Sequence, residues 1–179
     1  APWYPGETLN IGIGQGYFLT TPLQLANATS LLASGGESAT PHLFLKSISN
    51  DKEQSYNYSE NKNSITIDTN SLHIVNEAMW RVVYDKNEGT ASHLKEIEGI
   101  EFAGKTGTAQ VYNLDKGKTG TKSLQDHALF VSFAPFESPE IVVAVIVDNG
   151  GSGSGVAAPI ARDIINFYFK NVKTKVIKK

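Results

Sequence analysis

Lys105-Thr106-Gly107-Thr108 sets one ammonium beside two hydroxyls within four residues. A fixed positive charge with two hydrogen-bond donors makes a receptor for a carboxylate. If these residues lie on a strand, Gly107 lets a ligand's backbone come directly against the chain. Alternation then puts Lys105, Gly107 and Ala109 on one face and Thr106 and Thr108 on the other, unless a twist at Gly107 brings them together. Gln110 follows closely enough to meet a substrate amide, and as a strand residue it could equally face solvent. A rival reading uses the same lysine: Gly99 to Thr106 fits G-x-x-x-x-G-K-T, the pattern that cradles nucleotide phosphates. A phosphate loop needs a buried strand before it and a helix after it. Here polar HLKEIE precedes and strand-like GTAQVY follows, so the nucleotide reading is rejected. Gly12-Ile13-Gly14-Gln15-Gly16 carries Tyr17 where a dinucleotide fingerprint needs its third glycine, and is read as a tight loop with a packing role.

Composition removes other chemistries. The chain has no cysteine, which excludes disulfides, thiol catalysis and cysteine-ligated metals. Its histidines stand alone at 42, 73, 93 and 127, so neither a metal nor a cofactor is expected. His127 is read as a structural hydrogen-bonding group at a strand edge. Sixteen basic against eighteen acidic side chains give a net charge of −2, which disfavours nucleic acid as a partner. The longest apolar run, Ile141 to Val147, is strand-length and too short to span a bilayer.

The elements that must position the lysine and hydroxyls follow from periodicity. Residues 1–21, rich in glycine, proline and aromatics, read as a structured loop with close backbone approaches. Thr21 and Pro22 open a helix whose broad apolar pattern predicts that it is largely buried, and Gly35 and Gly36 end it. Residues 46–64 are polar and read as a surface excursion or hairpin tip of low order. A second helix begins near Asp68 or Thr69, with Leu72, Val75, Met79 and Val82 on one face, and stops at Asn87 and Gly89. Three strands follow: Phe102 to Tyr112, His127 to Phe136 and Ile141 to Asp148, the last two joined as an antiparallel hairpin by PFESP. A final helix runs from about Val156 to Asn171, with Ile160, Ile164, Phe167 and Asn171 defining one face and Ile165 and Tyr168 flanking it. Trp3, Tyr4 and Trp80 are read as core or loop anchors. The 179 residues suffice for one domain, and the element order predicts an α+β fold in which helices pack on an antiparallel sheet.

K-T-G is also one of three motifs shared by penicillin-binding proteins and serine β-lactamases, with S-x-x-K and an S-D-N-type motif. Here the likeness extends further. PWYPGETLNIGIGQGY followed by TPLQLA, then FAGKTGTAQVY, DHALFVSFAP and IVVAVIVDNGGSGSGVAAPIARDI occur in the order found in class B penicillin-binding proteins. The chain therefore resembles that family over nearly its whole length, and its first block is most similar to the elongation-type transpeptidases. The resemblance implies an antiparallel sheet with helices on both sides. It gives Lys105 the positive potential at a substrate carboxylate and a part in proton movement. Thr106 and Thr108 would bind that carboxylate by their hydroxyls, Gly107 would give the substrate close approach, and the Thr108 N–H would form half of an oxyanion hole. The reaction implied is serine acylation by a peptidoglycan stem peptide, then transfer to an amine.

Ser49-Asn50-Asp51-Lys52 fits S-x-x-K by letters, but it lies in the polar excursion and after the glutamine-glycine block, so it is read as coincidence, like Ser59-Glu60-Asn61. Residues 1–171 are accordingly expected to be the C-terminal portion of a D,D-transpeptidase domain, inactive alone because the nucleophile lies elsewhere. Residues 172–179 are expected to be a solvated basic tail; the last ten residues hold five lysines and no acid. The resemblance further implies stem peptides and β-lactams as ligands and a glycosyltransferase of the elongation machinery as partner. It implies a site on the periplasmic side of the inner membrane, held by an anchor outside this chain. A penicillin-recognising sensor or scaffold of the same fold is the alternative.

Overall fold

A computed structural model of the chain describes residues 3–14, 19–44, 46–50, 52–55, 62–110 and 125–173. Its centre is a three-stranded antiparallel sheet of β5 (Ala103–Ala109), β6 (His127–Ala134) and β7 (Ile141–Val147), in that order. The expected α+β architecture with a hairpin around PFESP is present. Alternation along these strands separates two apolar layers. Ala128, Phe130, Ala134, Val143 and Val145 form one core with Ala157, Ala158, Ala161 and Ile165 of the C-terminal helical segment. On the opposite face, Ala103 and Phe133 join Met79, with Leu32, Ala33 and Trp80 packed against them. Helices thus cover both faces of the sheet.

Helix α2 (Pro22–Ala33) begins as the sequence predicts. The Thr21 N–H donates to Gln24 Oε1 at 2.9 Å, and the Gln24 N–H donates to Thr21 Oγ1 at 3.2 Å, a reciprocal cap. Largely buried it is not. Among its residues only Thr29 is buried, and Leu23 is 62% exposed, because only the C-terminal end of α2 reaches the sheet. Helix α3 (Thr69–Tyr84) starts at Asp68, whose carboxylate accepts the Ser71 N–H at 2.8 Å. Its buried residues are Met79 and Val83, one in each core, while Val75 of the expected face is 41% exposed. Trp80 anchors the start of β5: it stacks on Tyr84, and its indole N–H donates to Glu101 Oε2 at 2.9 Å.

Further expectations are corrected. The N-terminal stretch holds a helix, α1 (Pro5–Gly12), rather than a loop; Glu7 caps it by accepting the Tyr4 N–H, and no atom crowds Gly6, Gly12 or Gly14. Trp3 and Tyr4 are exposed, Trp3 serving as a local anchor through Nε1–H to Thr8 Oγ1 at 2.9 Å. The final helix has three parts: a π-helical turn at Gly153–Ala157, α4 (Ala158–Phe167) and a second π-helical turn at Tyr168–Lys173. Of the face expected to be defined by Ile160, Ile164 and Phe167, these three are exposed at 42%, 43% and 60%, while Ile165 at its flank is buried. The inward face combines Ile165, wholly buried, with Ala157, Ala158 and Ala161, whose small side chains let the helix axis come close to the sheet.

The polar excursion forms antiparallel ladders, β2 (Lys46–Ser49) with β3 (Lys52–Ser55), and β1 (Glu37–Ala39) with β4 (Lys62–Ser64). Ser49 faces Lys52 across the exposed β2–β3 hairpin, not along a helix. Gly16, Tyr17, Ser59 to Asn61, Tyr112 and most of the basic tail lie outside the described residues.

The glycine-rich turn is seated directly on the sheet's main chain. A Cβ at Gly153 would stand 2.4 Å from the Gly107 carbonyl oxygen and 2.6 Å from that of Leu129, and neither backbone can swing aside. Gly153→Ala is expected to cost about 1–3 kcal/mol, lowering the thermal midpoint by about 3–10 °C; an unchanged melting curve would show that the turn is not packed there.

Candidate active site

The four-residue signature lies in β5, an edge strand: one side pairs with β6, and the other pairs with no described strand. The ladder runs without a bulge from Ala103↔Phe133 to Ala109↔His127. Lys105, Gly107 and Ala109 therefore share one face, while Thr106 and Thr108 share the other; no twist at Gly107 merges them. What brings the set together is the edge itself, which both faces border. Lys105 is exposed, and its Nζ donates to the Thr106 carbonyl oxygen at 2.6 Å, so the charge lies along the strand rather than extending into solvent. Thr106 is half-buried, with Oγ1 3.0 Å from Thr90 Oγ1. Thr108 is exposed, and so is Gln110 just past the strand end.

Behind β5 the main chain is buttressed. Gly153 fills the space over Gly107, Ser152 Oγ accepts the Gly155 N–H at 3.0 Å, and the His93 ring Nε2 lies 3.1 Å from the Ser154 carbonyl oxygen. His127, at the far end of β6, plays the structural part expected: its Nδ1 accepts the Asn149 N–H at 3.0 Å. That bond leaves the ring proton on Nε2.

Sequence reasoning missed the loop after α3. Asp85 gathers it, accepting from the Arg81 guanidinium at 2.9 Å and from the N–H groups of Asn87 and Glu88 at 3.0 and 3.1 Å. Gly89 packs where a Cβ would meet the carbonyl oxygens of Arg81 and Asp85, both at 2.6 Å. From the far side Arg162 donates to the Lys95 and Glu96 carbonyl oxygens, each at 3.1 Å. The only local signal was the helix stop at Asn87 and Gly89; nothing in it reveals that Thr90 meets Thr106.

The phosphate-loop pattern is excluded by geometry as well. Gly104, Lys105 and Thr106 are strand residues, and the strand continues through Thr106 to Ala109 where a phosphate loop would start its helix.

The model of the penicillin-binding protein transpeptidase domain matches residues 1–166. The chain belongs to the penicillin-binding protein transpeptidase family. Among its relatives, the peptidoglycan D,D-transpeptidase MrdA of Haemophilus influenzae is 38% identical over 99% of this chain and 28% of its own length. That of Escherichia coli K12 is 32% identical over 92% of this chain and 26% of its own. Of solved structures, Pseudomonas aeruginosa PBP2 in complex with WCK 5153 matches with a TM-score of 0.73 and 40% identity, covering 93% of this chain and 34% of that one. Helicobacter pylori PBP2, in complex with MreC, matches with a TM-score of 0.72 and 30% identity over 96% of this chain and 29% of that one. The resemblance to class B enzymes of the penicillin-binding protein 2 type is borne out, and the fold is that of the family's transpeptidase domain. This penicillin-binding protein chain spans 26–34% of the length of those relatives and neighbours.

The Asp85 carboxyl is held below its ordinary value, chiefly by the Arg81 hydrogen bond and then by the Asn87 and Glu88 N–H groups. A depressed carboxyl stabilises the fold above its unfolded pKa of about 3.9, and that stability is lost as pH falls through the lower folded value. Asp85→Asn should therefore melt below the parent at pH 7, with the gap closing as pH drops below about 4. A gap independent of pH would show that the Asp85 charge does not hold the loop.

Proposed function

We propose that this chain supplies the carboxylate-binding side of a peptidoglycan D,D-transpeptidase. The observation that carries the reading is the edge of β5 that pairs with no described strand, along which Lys105, Thr106 and Thr108 stand on a buttressed main chain. A stem peptide adds along this edge as a further strand, with Gly107 giving close approach and Gln110 meeting a peptide amide. The terminal carboxylate is bound by the hydroxyls of Thr106 and Thr108 within the field of Lys105. A serine from elsewhere in the protein attacks the carbonyl carbon of the penultimate D-alanine. The Thr108 N–H receives the oxyanion, a contribution typically of about 2.7–4 kcal/mol per donor. The peptide C–N bond breaks, and terminal D-alanine leaves with the proton on its amine. An acceptor amine on a neighbouring strand then attacks the acyl ester and releases the serine. Lys105 raises the positive potential through these steps and assists proton movement.

The same groups bind β-lactams, whose carboxylate and carbonyl mimic the peptide's. Relatives and structural neighbours support this reading: several relatives are peptidoglycan D,D-transpeptidases, and Mycobacterium tuberculosis penicillin-binding protein A is seen as an imipenem acyl-enzyme. In the proposal residues 1–171 are the C-terminal portion of the domain and 172–179 a basic tail. The whole protein works on the periplasmic side of the inner membrane, beside a glycosyltransferase of the elongation machinery. The Helicobacter pylori neighbour's complex with MreC is in keeping with such an assembly.

In the full-length protein, Lys105→Ala should slow acylation by a labelled penicillin on the order of 100-fold or more while leaving the melting temperature near the parent's. Acylation at a near-normal rate would remove Lys105 from the mechanism.

A further inference from the structure

The loop after α3 is more tightly built than a connection requires. Asp85 ties its first turn, the Gly89 N–H donates to the Asp85 carbonyl oxygen, and the Ala91 N–H donates to that of Val82, both at 2.9 Å. Ala91 is wholly buried, and the ring of His93 and the guanidinium of Arg162 fasten the stretch to the C-terminal segment. In the middle stands Thr90, exposed, with its hydroxyl oxygen 3.0 Å from that of Thr106. Every tie on either side fixes the position of this one hydroxyl relative to β5.

A threonine hydroxyl has one proton to give and two lone pairs to accept with. Between two hydroxyls at this distance, one donates and the other accepts. A carboxylate offers no proton, so a hydroxyl that binds one must spend its own proton on it. Thr106 can do so only if it accepts, rather than donates, in its contact with Thr90. We propose that Thr90 is a positioning residue: it donates its proton to Thr106 Oγ1, which fixes the Thr106 rotamer and leaves the Thr106 proton aimed at the ligand's carboxylate. The inference rests on the carboxylate-binding reading of Thr106. It extends the site by a residue that touches no ligand and lies 16 positions upstream. Hydroxyls in series polarise one another, which strengthens the bond to the charged acceptor.

The test uses the full-length transpeptidase and two probes, a penicillin and its methyl ester, in which the carboxylate charge is removed. Acylation rate constants are measured for the parent, Thr90→Val, Thr90→Ala, Thr90→Ser, Thr106→Val and the Thr90→Val/Thr106→Val double variant. Thr90→Val should lower the second-order acylation constant for penicillin about 5–20-fold and leave that for the ester near the parent's. Thr90→Ala should do the same, and Thr90→Ser should restore most of the rate. The double variant should be no slower than Thr106→Val, because the two hydroxyls act as one unit. Equal slowing of both probes by Thr90→Val and Thr90→Ala would mean that Thr90 only holds the fold, and would overturn the proposal. If Thr106→Val loses the preference for the charged probe while Thr90→Val and Thr90→Ala keep it, the Thr90 inference fails alone. If Thr106→Val also keeps that preference, the carboxylate reading of Thr106 fails and takes the inference with it.

Discussion

The unbroken ladder between β5 and β6 is the constraint on which the rest of this structure depends. It uses one edge of β5 for pairing from Ala103 to Ala109, and so fixes the main chain of Lys105, Thr106, Gly107 and Thr108 while the opposite edge pairs with no described strand. A strand fixed on one edge could still bow toward either face. Gly153, pressed on the Gly107 and Leu129 carbonyls, prevents bowing on the side of the C-terminal helix. The open edge is thus held rigid before any ligand arrives, the condition under which hydrogen-bond donors contribute most to a developing charge.

Two layers of packing keep that strand in place, and they differ in kind. The face under α4 is filled by large residues from the sheet, such as Phe130, meeting alanines from the helix. The other face meets the end of α2 and the middle of α3 through Leu32, Ala33, Met79 and Phe133. The loop after α3 then crosses to the α4 side, with Ala91 and Ile97 in the first core. A single helix followed by one tethered loop therefore reaches both layers and ends beside the motif.

Much of this was legible in the sequence because its signals are local. Thr21-Pro22 and Asp68 mark helix starts through caps that need only three or four residues. The runs of β-branched and aromatic residues mark β6 and β7, and the K-T-G-T signature needs no partner to be noticed. What failed depended on what each element meets. In α4 the large residues Ile160, Ile164 and Phe167 outweigh Ala158 and Ala161 in any hydrophobic tally, yet the side that meets the sheet is made of those alanines and Ile165. For α2, amphipathicity says nothing about how far the sheet extends beneath the helix, and Leu23 lies beyond it. The Thr90–Thr106 contact and the Arg162 clamp join residues far apart in the chain, and no spacing rule connects them.

The central claim is that the open edge of β5 receives the ligand's carboxylate and the carbonyl under attack. The most direct measurement is a crystal structure of the full-length protein acylated by a penicillin. Thr106 Oγ1 and Thr108 Oγ1 should then lie about 2.5–3.0 Å from the ligand carboxylate, with the Thr108 nitrogen about 2.7–3.1 Å from the acyl carbonyl oxygen. An acyl group whose carboxylate lies away from β5, with both threonine hydroxyls left to solvent, would contradict the account.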